Sequence, residues 1–275
     1  MNRVLEIRGI EIAVNEIGQG TPLLVIHGWS ADHRYMAADI EPNFSPASSW
    51  KRIYFDLPGH GATIAPSWLQ TQSQMIEIVV ELIEQVVGQE KFAVIGNSYG
   101  GYLGLALVRT MPRRLLGVAL VVPDLPDETN LREVPEKTTL RSDPSLFHDL
   151  EPDEEWIPSG LVEHSTDALN QIRLTDMPAY RIADYEFLAR LNEQYVLPPE
   201  LRVATDPFEQ PSLIALGRQD STVGFVRQLG LMGEFPRATF AVVDFAGHYL
   251  GRVERPRVYN ALIADWIERM DLESR

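Results

Sequence analysis

The chain has 275 residues, no cysteine and a formal net charge of −15. At about 100–200 residues per domain this is one large domain or two small ones, with a core that needs no staples. The missing cysteines exclude disulfides, thiolate metal sites and a cysteine nucleophile, and the acidic balance argues against nucleic acid, which wants a basic patch.

The first third alternates short β-like runs with helical patterns. Val4–Ile7 and Glu11–Val14 read as a hairpin around Arg8-Gly9, and Leu23–Ile26 and Arg52–Phe55 as buried strands. Met75, Ile76, Val79, Val80, Ile83, Val86 and Val87 recur at helical spacing, with Gly88 where a C-terminal cap belongs. Phe92–Ile95 is then a strand, Tyr99–Thr110 a helix rich in small residues, and Val118–Val122 a further strand. The longest apolar run, Leu115–Val122, is far short of the ~20 residues that a membrane-spanning helix needs. No basic segment with a long apolar core follows Met1, so a soluble, cytoplasmic protein without a membrane partner is expected.

After Pro123 the pattern changes. Asp124–Glu209 carries 20 acidic and 7 basic residues, which is most of the net charge of the chain. It is rich in Pro, Asp and Glu as far as Pro158, with amphipathic stretches near Leu161–Leu174 and Ala183–Tyr195. Alternation resumes with the strand Leu213–Leu216, a helix over Val223–Gly233, the strand Thr239–Phe245 and a closing helix over Arg257–Met270. Strand–helix alternation predicts an α/β fold, a mainly parallel sheet with helices on both faces. The expected division is a core of residues 1–123 and 210–275, with residues 124–209 inserted as an acidic, largely helical lid.

The chemistry-bearing residues sit at strand ends. Gly96-Asn97-Ser98-Tyr99-Gly100-Gly101 follows a strand and opens a helix, the context a nucleophile elbow requires. A serine there is forced outward, and the helix N-terminus faces developing negative charge. Serine needs a positioned base. Only His148, His164 and His248 follow Ser98. The first two lie in the acidic insert and read as solvated, whereas His248 follows the strand Thr239–Phe245. The acid that fixes the His248 tautomer is assigned to Asp220, with Asp124 as runner-up. The backbone N–H groups of Trp29, in His27-Gly28-Trp29-Ser30, and of Tyr99 are assigned as the two oxyanion donors. Asp56-Leu57-Pro58-Gly59-His60-Gly61 reads as a structural loop beside the site. A metal reading would pair His60 with Asp56, but two nearby ligands are weak support. Asp153-Glu154-Glu155 reads as solvated surface.

His27-Gly28, Asp56–Gly61, Gly96–Gly100 and the pair Asp220 and His248, in that order and spacing, resemble the α/β-hydrolase fold family along essentially the whole chain. The resemblance implies an eight-stranded, mostly parallel sheet, a Ser98–His248–Asp220 triad, oxyanion donors at Trp29 and Tyr99, and neither cofactor nor metal. Members that are haloalkane dehalogenases or epoxide hydrolases carry an aspartate where Ser98 stands. The elbow also looks like that of the meta-cleavage-product C–C hydrolases, although Trp29-Ser30-Ala31-Asp32-His33 replaces the glycine-rich stretch usual there after His-Gly.

Three functions stay open. The leading one is a serine hydrolase of a small or medium acyl substrate, most simply a carboxylesterase working through an acyl-enzyme. The second is a C–C bond hydrolase with the same triad, in which Arg132, Arg141, Arg173, Arg181 or Arg190 could turn inward to meet an anionic substrate. The third is a ligand sensor with slow turnover. The partner expected in each case is a small molecule. Oligomeric state is not legible.

Overall fold

A computed structural model describes residues 2–127 and 131–273. Its sheet is built from β1 (Asn2–Ile7), β2 (Ile10–Ile17), β3 (Thr21–Ile26), β4 (Trp50–Phe55), β5 (Phe92–Asn97), β6 (Leu115–Val121), β7 (Ser212–Gly217) and β8 (Ala238–Val243). The order is β1-β2-β4-β3-β5-β6-β7-β8. β1 and β2 are antiparallel to each other, β2 is antiparallel to β4, and every pairing from β4 to β8 is parallel.

The expected hairpin forms because Arg8 (φ 52°) and Gly9 (φ 79°) both take positive φ, as a two-residue turn between right-twisted strands demands. The central strands are apolar on both faces, and their period of two divides the core. Leu24, Ile26, Ile53, Phe55, Val94, Leu120 and Ile214 pack on the side of α2 (Gln72–Val86) and α3 (Tyr99–Thr110). Their neighbours Leu23, Val25, Tyr54, Ile95, Ala119 and Leu213 pack on the other side, against α1 (His33–Ile40) and the C-terminal helix α8 (Pro256–Glu273). α2 starts at a reciprocal cap, in which Thr71 Oγ1 accepts the Gln74 N–H and Gln74 Oε1 accepts the Thr71 N–H.

Between β6 and β7 the described residues form four short α-helices, α4 (Ile157–Gly160), α5 (Thr166–Gln171), α6 (Met177–Tyr180) and α7 (Tyr185–Asn192). Ile157, Leu161, Leu169, Ile172 and Met177 make a small apolar cluster there that Val253 joins from the region before α8. Phe187 and Leu188 of α7 instead enter the main core. Phe187 lies over Gly59, where a Cβ would sit 2.3 Å from its ring.

Two readings need correction. No helix spans Val223–Gly233. Only a 3₁₀ segment, Arg227–Gly233, forms, because Gly224 holds φ 78° where a Cβ would lie 2.2 Å from the Glu133 carbonyl oxygen, and two more glycines weaken the run. The helix α1 was not read from the sequence at all. It starts where the Asp32 carboxylate caps the Arg34 N–H. No helix among the described residues is long and apolar enough to cross a membrane.

Candidate active site

Ser98 is the single residue between β5 and α3, at φ 53° and ψ −112°. Such a conformation disfavours a side chain and must be imposed by its surroundings. Its N–H donates to the Val121 carbonyl (2.9 Å), and its own carbonyl accepts from Tyr102 N (3.0 Å) and Asp124 N (3.1 Å). Glycine is required on either side of it. A Cβ on Gly96 would lie 2.1 Å from the Gly100 carbonyl oxygen, and one on Gly100 would lie 2.1 Å from that of Ile26. The motif glycines therefore let the helix start, the preceding strand and β3 meet at backbone distance.

His248 lies on the loop after β8, with Nε2 2.9 Å from Ser98 Oγ and Nδ1 2.8 Å from Asp220 Oδ2. Asp220 is fully buried on the loop after β7, and its other oxygen accepts N–H bonds from Thr222 (2.8 Å) and Val223 (3.0 Å). The two loops are fastened together. Gln219 N donates to the Ala246 carbonyl at 2.9 Å, and a Cβ on Gly217 would strike the Gly247 carbonyl at 2.1 Å. Burial works to lower the His248 pKa, but the Asp220 charge and hydrogen bond, with Asp124 and Glu254 further off, hold it above the ordinary 6.5. Neutral His248 with its proton on Nδ1 leaves the Nε2 lone pair facing the Ser98 hydroxyl. The chain of contacts can draw the serine proton away as the oxygen attacks.

The other sequence-derived residues sort by geometry. Asp124 is not the partner of His248. Its carboxylate pairs with Arg132 and accepts the Tyr195 hydroxyl at 2.6 Å, while its backbone N–H braces the Ser98 turn. His27 is fully buried. Its Nδ1 contacts the Gly28 carbonyl at 2.8 Å and its Nε2 accepts the Leu57 N–H at 3.0 Å, so both nitrogens are used in structure, and burial lowers its pKa. His164 is buried rather than solvated. Its Nδ1 accepts the Asp143 N–H at 3.0 Å and its Nε2 lies 2.9 Å from the Pro158 carbonyl. Glu154 is likewise buried against Arg173, not solvated.

Asp56 does not pair with His60. It takes His33 Nδ1 at 2.7 Å, together with the N–H groups of His33 and Ala62. Asp32, His33 and Asp56 are close enough to share an ion, yet the Asp32 carboxylate is already bound to Arg34, and that of Asp56 is filled by these donors.

Trp29 follows β3 and Tyr99 opens α3, and the N–H of neither is taken by another described residue. The Tyr99 N–H is one of the free donors of a helix start. Their rings meet edge to face at 4.8 Å.

A cavity of about 340 Å³ opens beside Ser98 and His248, walled by Trp29, Tyr35, Trp156, Tyr180 and Tyr249. The Trp156 and Tyr249 rings stack at 5.7 Å, and the Tyr180 and Tyr249 hydroxyls lie 3.3 Å apart. Trp156 and Tyr180 come from the segment between β6 and β7, and they line the cavity. Tyr35 and Tyr249 were missed, although Tyr249 adjoins His248 in sequence. Arg132, Arg141, Arg173, Arg181 and Arg190 are each paired with a carboxylate, of Asp124, Glu163, Glu154, Asp153 and Glu186 respectively, and none lines this cavity. Arg181 borders an adjoining recess that shares Trp156 and Tyr180.

The family model for the alpha/beta hydrolase fold matches residues 21–151. A 2-hydroxy-6-oxononadienedioate/2-hydroxy-6-oxononatrienedioate hydrolase of Paraburkholderia phymatum is 24% identical over 94% of this chain and 92% of its own. A dihydrolipoyllysine-residue acetyltransferase component of an acetoin cleaving system from Cupriavidus necator is 31% identical over 43% of this chain, and the match spans only 31% of that protein. The crystal structure of an alpha/beta superfamily hydrolase from Oenococcus oeni PSU-1 superimposes with a TM-score of 0.88 at 25% identity, over 98% of this chain and 99% of that one. Sheet order, strand-end geometry and these likenesses agree, and the chain has the α/β-hydrolase fold.

Proposed function

We propose that the chain is a serine hydrolase of small or medium, uncharged carboxylic esters. The observation that carries this reading is the continuous relay Asp220–His248–Ser98, which ends at the wall of an aromatic cavity. Ser98 Oγ attacks the ester carbonyl while His248 Nε2 takes its proton, and Asp220 holds the resulting imidazolium. The free N–H groups of Trp29 and Tyr99 receive the oxyanion. Collapse expels the alcohol, which takes the proton from His248. A water molecule, deprotonated by the same imidazole, then releases the acid from the acyl-enzyme. Neither metal nor cofactor enters this scheme. The substrate is a small molecule, no nucleic acid is involved, and a cytoplasmic location completes the reading. Residues 124–209, which supply Trp156 and Tyr180, act as a lid over the core of residues 1–123 and 210–275.

The relative from Paraburkholderia phymatum raises the second reading, C–C bond hydrolysis of an anionic dienoate. The pairing of all five candidate arginines supports the ester reading over it, because an anion in this cavity would lack a free counter-charge. The test is hydrolysis of p-nitrophenyl esters from acetate to octanoate by the wild type and by Ser98→Ala. Turnover that the alanine abolishes is the expected result. A folded wild type with no turnover on any ester refutes the ester assignment and returns the C–C hydrolase and the slow sensor.

A further inference from the structure

Glu254 ends the irregular turn Leu250–Glu254, which joins the His248 loop to α8. It is buried, and no described cation pairs with it. Each of its carboxylate oxygens accepts one backbone N–H. Oε2 takes that of Gly247, next to His248, at 2.5 Å, and Oε1 takes that of Val162, in the segment between β6 and β7, at 3.0 Å. The titratable groups that face it are Asp220 and His248 from the two loops, and from the inserted segment it meets the Val162 backbone. The carbonyl of Val162 in turn accepts the Leu140 N–H at 2.7 Å, so the tie extends into the segment. A Cβ on Gly247 would lie 3.2 Å from the Val162 side chain, which places the two strands of chain in direct contact.

We propose that Glu254 is a positioning residue whose ionised carboxylate ties the backbone beside His248 to the inserted segment, so that the imidazole is in line with Ser98 only while both ties hold. The inference rests on the reading of Ser98 and His248 as nucleophile and base. Only an ionised carboxylate offers an acceptor oxygen to each N–H. A protonated carboxyl or a glutamine amide must turn a donor toward one of two backbone donors. Burial, countered by these two N–H bonds, leaves the carboxyl at about 7, so the ties are complete on the alkaline side and one is lost as pH falls through that value. The carboxylate also adds to the negative field that raises the His248 pKa, after the larger contributions of Asp220 and Asp124.

The experiment follows hydrolysis of p-nitrophenyl acetate against pH for the wild type, Glu254→Gln, Val162→Pro, the double variant and Ser98→Ala. A charge-assisted hydrogen bond lost from the working geometry is worth about ten- to a hundred-fold in rate. Glu254→Gln is expected to lower kcat by that factor at pH 8 with KM within about three-fold. Its acid limb is expected to move to lower pH and to become shallower, with one proton instead of two. A residue that merely supports the fold would move neither feature. Val162→Pro removes the second donor and leaves the carboxylate in place, and Leu161 at φ −101° and ψ 138° already has the extended backbone that precedes proline. It is expected to lower kcat, and the double variant to be no worse than Glu254→Gln, since both cut one link. Should Glu254→Gln fail to fold, Val162→Pro decides alone: full kcat overturns the proposal. Additive losses, or Glu254→Gln with wild-type kcat and acid limb, overturn it too. Ser98→Ala separates the failures. If it is inactive, such results refute the tie alone. If it hydrolyses the ester like the wild type, the reading of the site falls and the tie falls with it.

Discussion

Ser98→Gly should be more stable than Ser98→Ala, the reverse of what the two residues do in most positions. Both variants lack Oγ, so the lost contact with His248 cancels between them. What remains is the backbone at φ 53° and ψ −112°. A side chain held in such a region costs about 1–3 kcal/mol. Glycine gives back about 0.5–1 kcal/mol through the extra freedom of its unfolded chain. Taken at the middle of each range, the difference is about 1 kcal/mol in favour of Ser98→Gly, or about 2–4 °C in Tm for a domain of this size. Thermal unfolding of the two variants at one pH, by circular dichroism, measures it. Ser98→Ala melting at or above Ser98→Gly would refute the argument that the elbow imposes strain on its central residue.

Asp220→Asn should cut kcat by about three to four orders of magnitude by allowing the wrong His248 tautomer, while Asp124→Asn keeps it within about ten-fold; the opposite ranking would make Asp124 the acid. Because only neutral His248 can act as base and its pKa is held above 6.5, kcat/KM should fall on the acid side of an inflection above that value, and a flat profile from pH 5 to pH 8 would contradict the role. Arg252 lies between two buried carboxylates, 3.2 Å from Asp39 and 3.1 Å from Asp176. Arg252→Met should therefore destabilise the fold by about 3–5 kcal/mol at pH 8 and by much less at pH 5, where both acids can protonate; a cost independent of pH would be evidence against the pairing. Burial raises Asp39 to about 6 and both Asp176 and Glu254 to about 7. The stability these groups contribute is complete below their unfolded pKa and is lost as pH rises through these values, so Tm should be higher at pH 6.5 than at pH 8. Below pH 6.5 the gain should slow, because burial holds His27 and His60 neutral, the latter down to about 3.

The parallel sheet was legible because Leu23–Ile26, Phe92–Ile95 and Leu213–Leu216 are apolar on both faces, and such runs have few other uses. Ser98, His248 and Asp220 were legible because each follows a strand, and the sheet brings strand ends together whatever the loops do. Asp124 also follows a strand, and spacing could not separate it from Asp220. The difference lies in Arg132 and Tyr195, which reach its carboxylate from far along the chain. His164 was misread because local acidity suggested solvent, while its burial comes from Phe147, Pro158 and Asp143 folding around it. Glu254 carried no signal. A glutamate just before a helix resembles any first-turn acid, and its two N–H partners are set by tertiary contact alone.

The backbone records where the fold accepts cost. Among the described residues, positive φ outside glycine occurs at Arg8, Ser30, Ser98, Val122 and Phe245. Arg8 is in the hairpin turn. The other four sit just past the C-terminal ends of β3, β5, β6 and β8, along one edge of the sheet. For Val122, a β-branched residue at φ 40°, the conformation is an outlier by any standard. Its N–H is held by the Ala215 carbonyl at 2.7 Å, and the next residue, Pro123, packs on Gly101 of the elbow helix. At about 1–3 kcal/mol each, four such residues amount to a sizeable part of the net stability of a domain, and they would not persist without compensation from the core. Parallel strands explain why they gather in one place, since every strand from β3 to β8 delivers its loop to the same edge. Ser98 and His248 lie within this strained rim and face the same cavity. Strain set beside a hydrogen-bonded Ser–His–Asp relay is what a preorganised site requires. Scattered over both edges of the sheet, the same strain would carry no such implication.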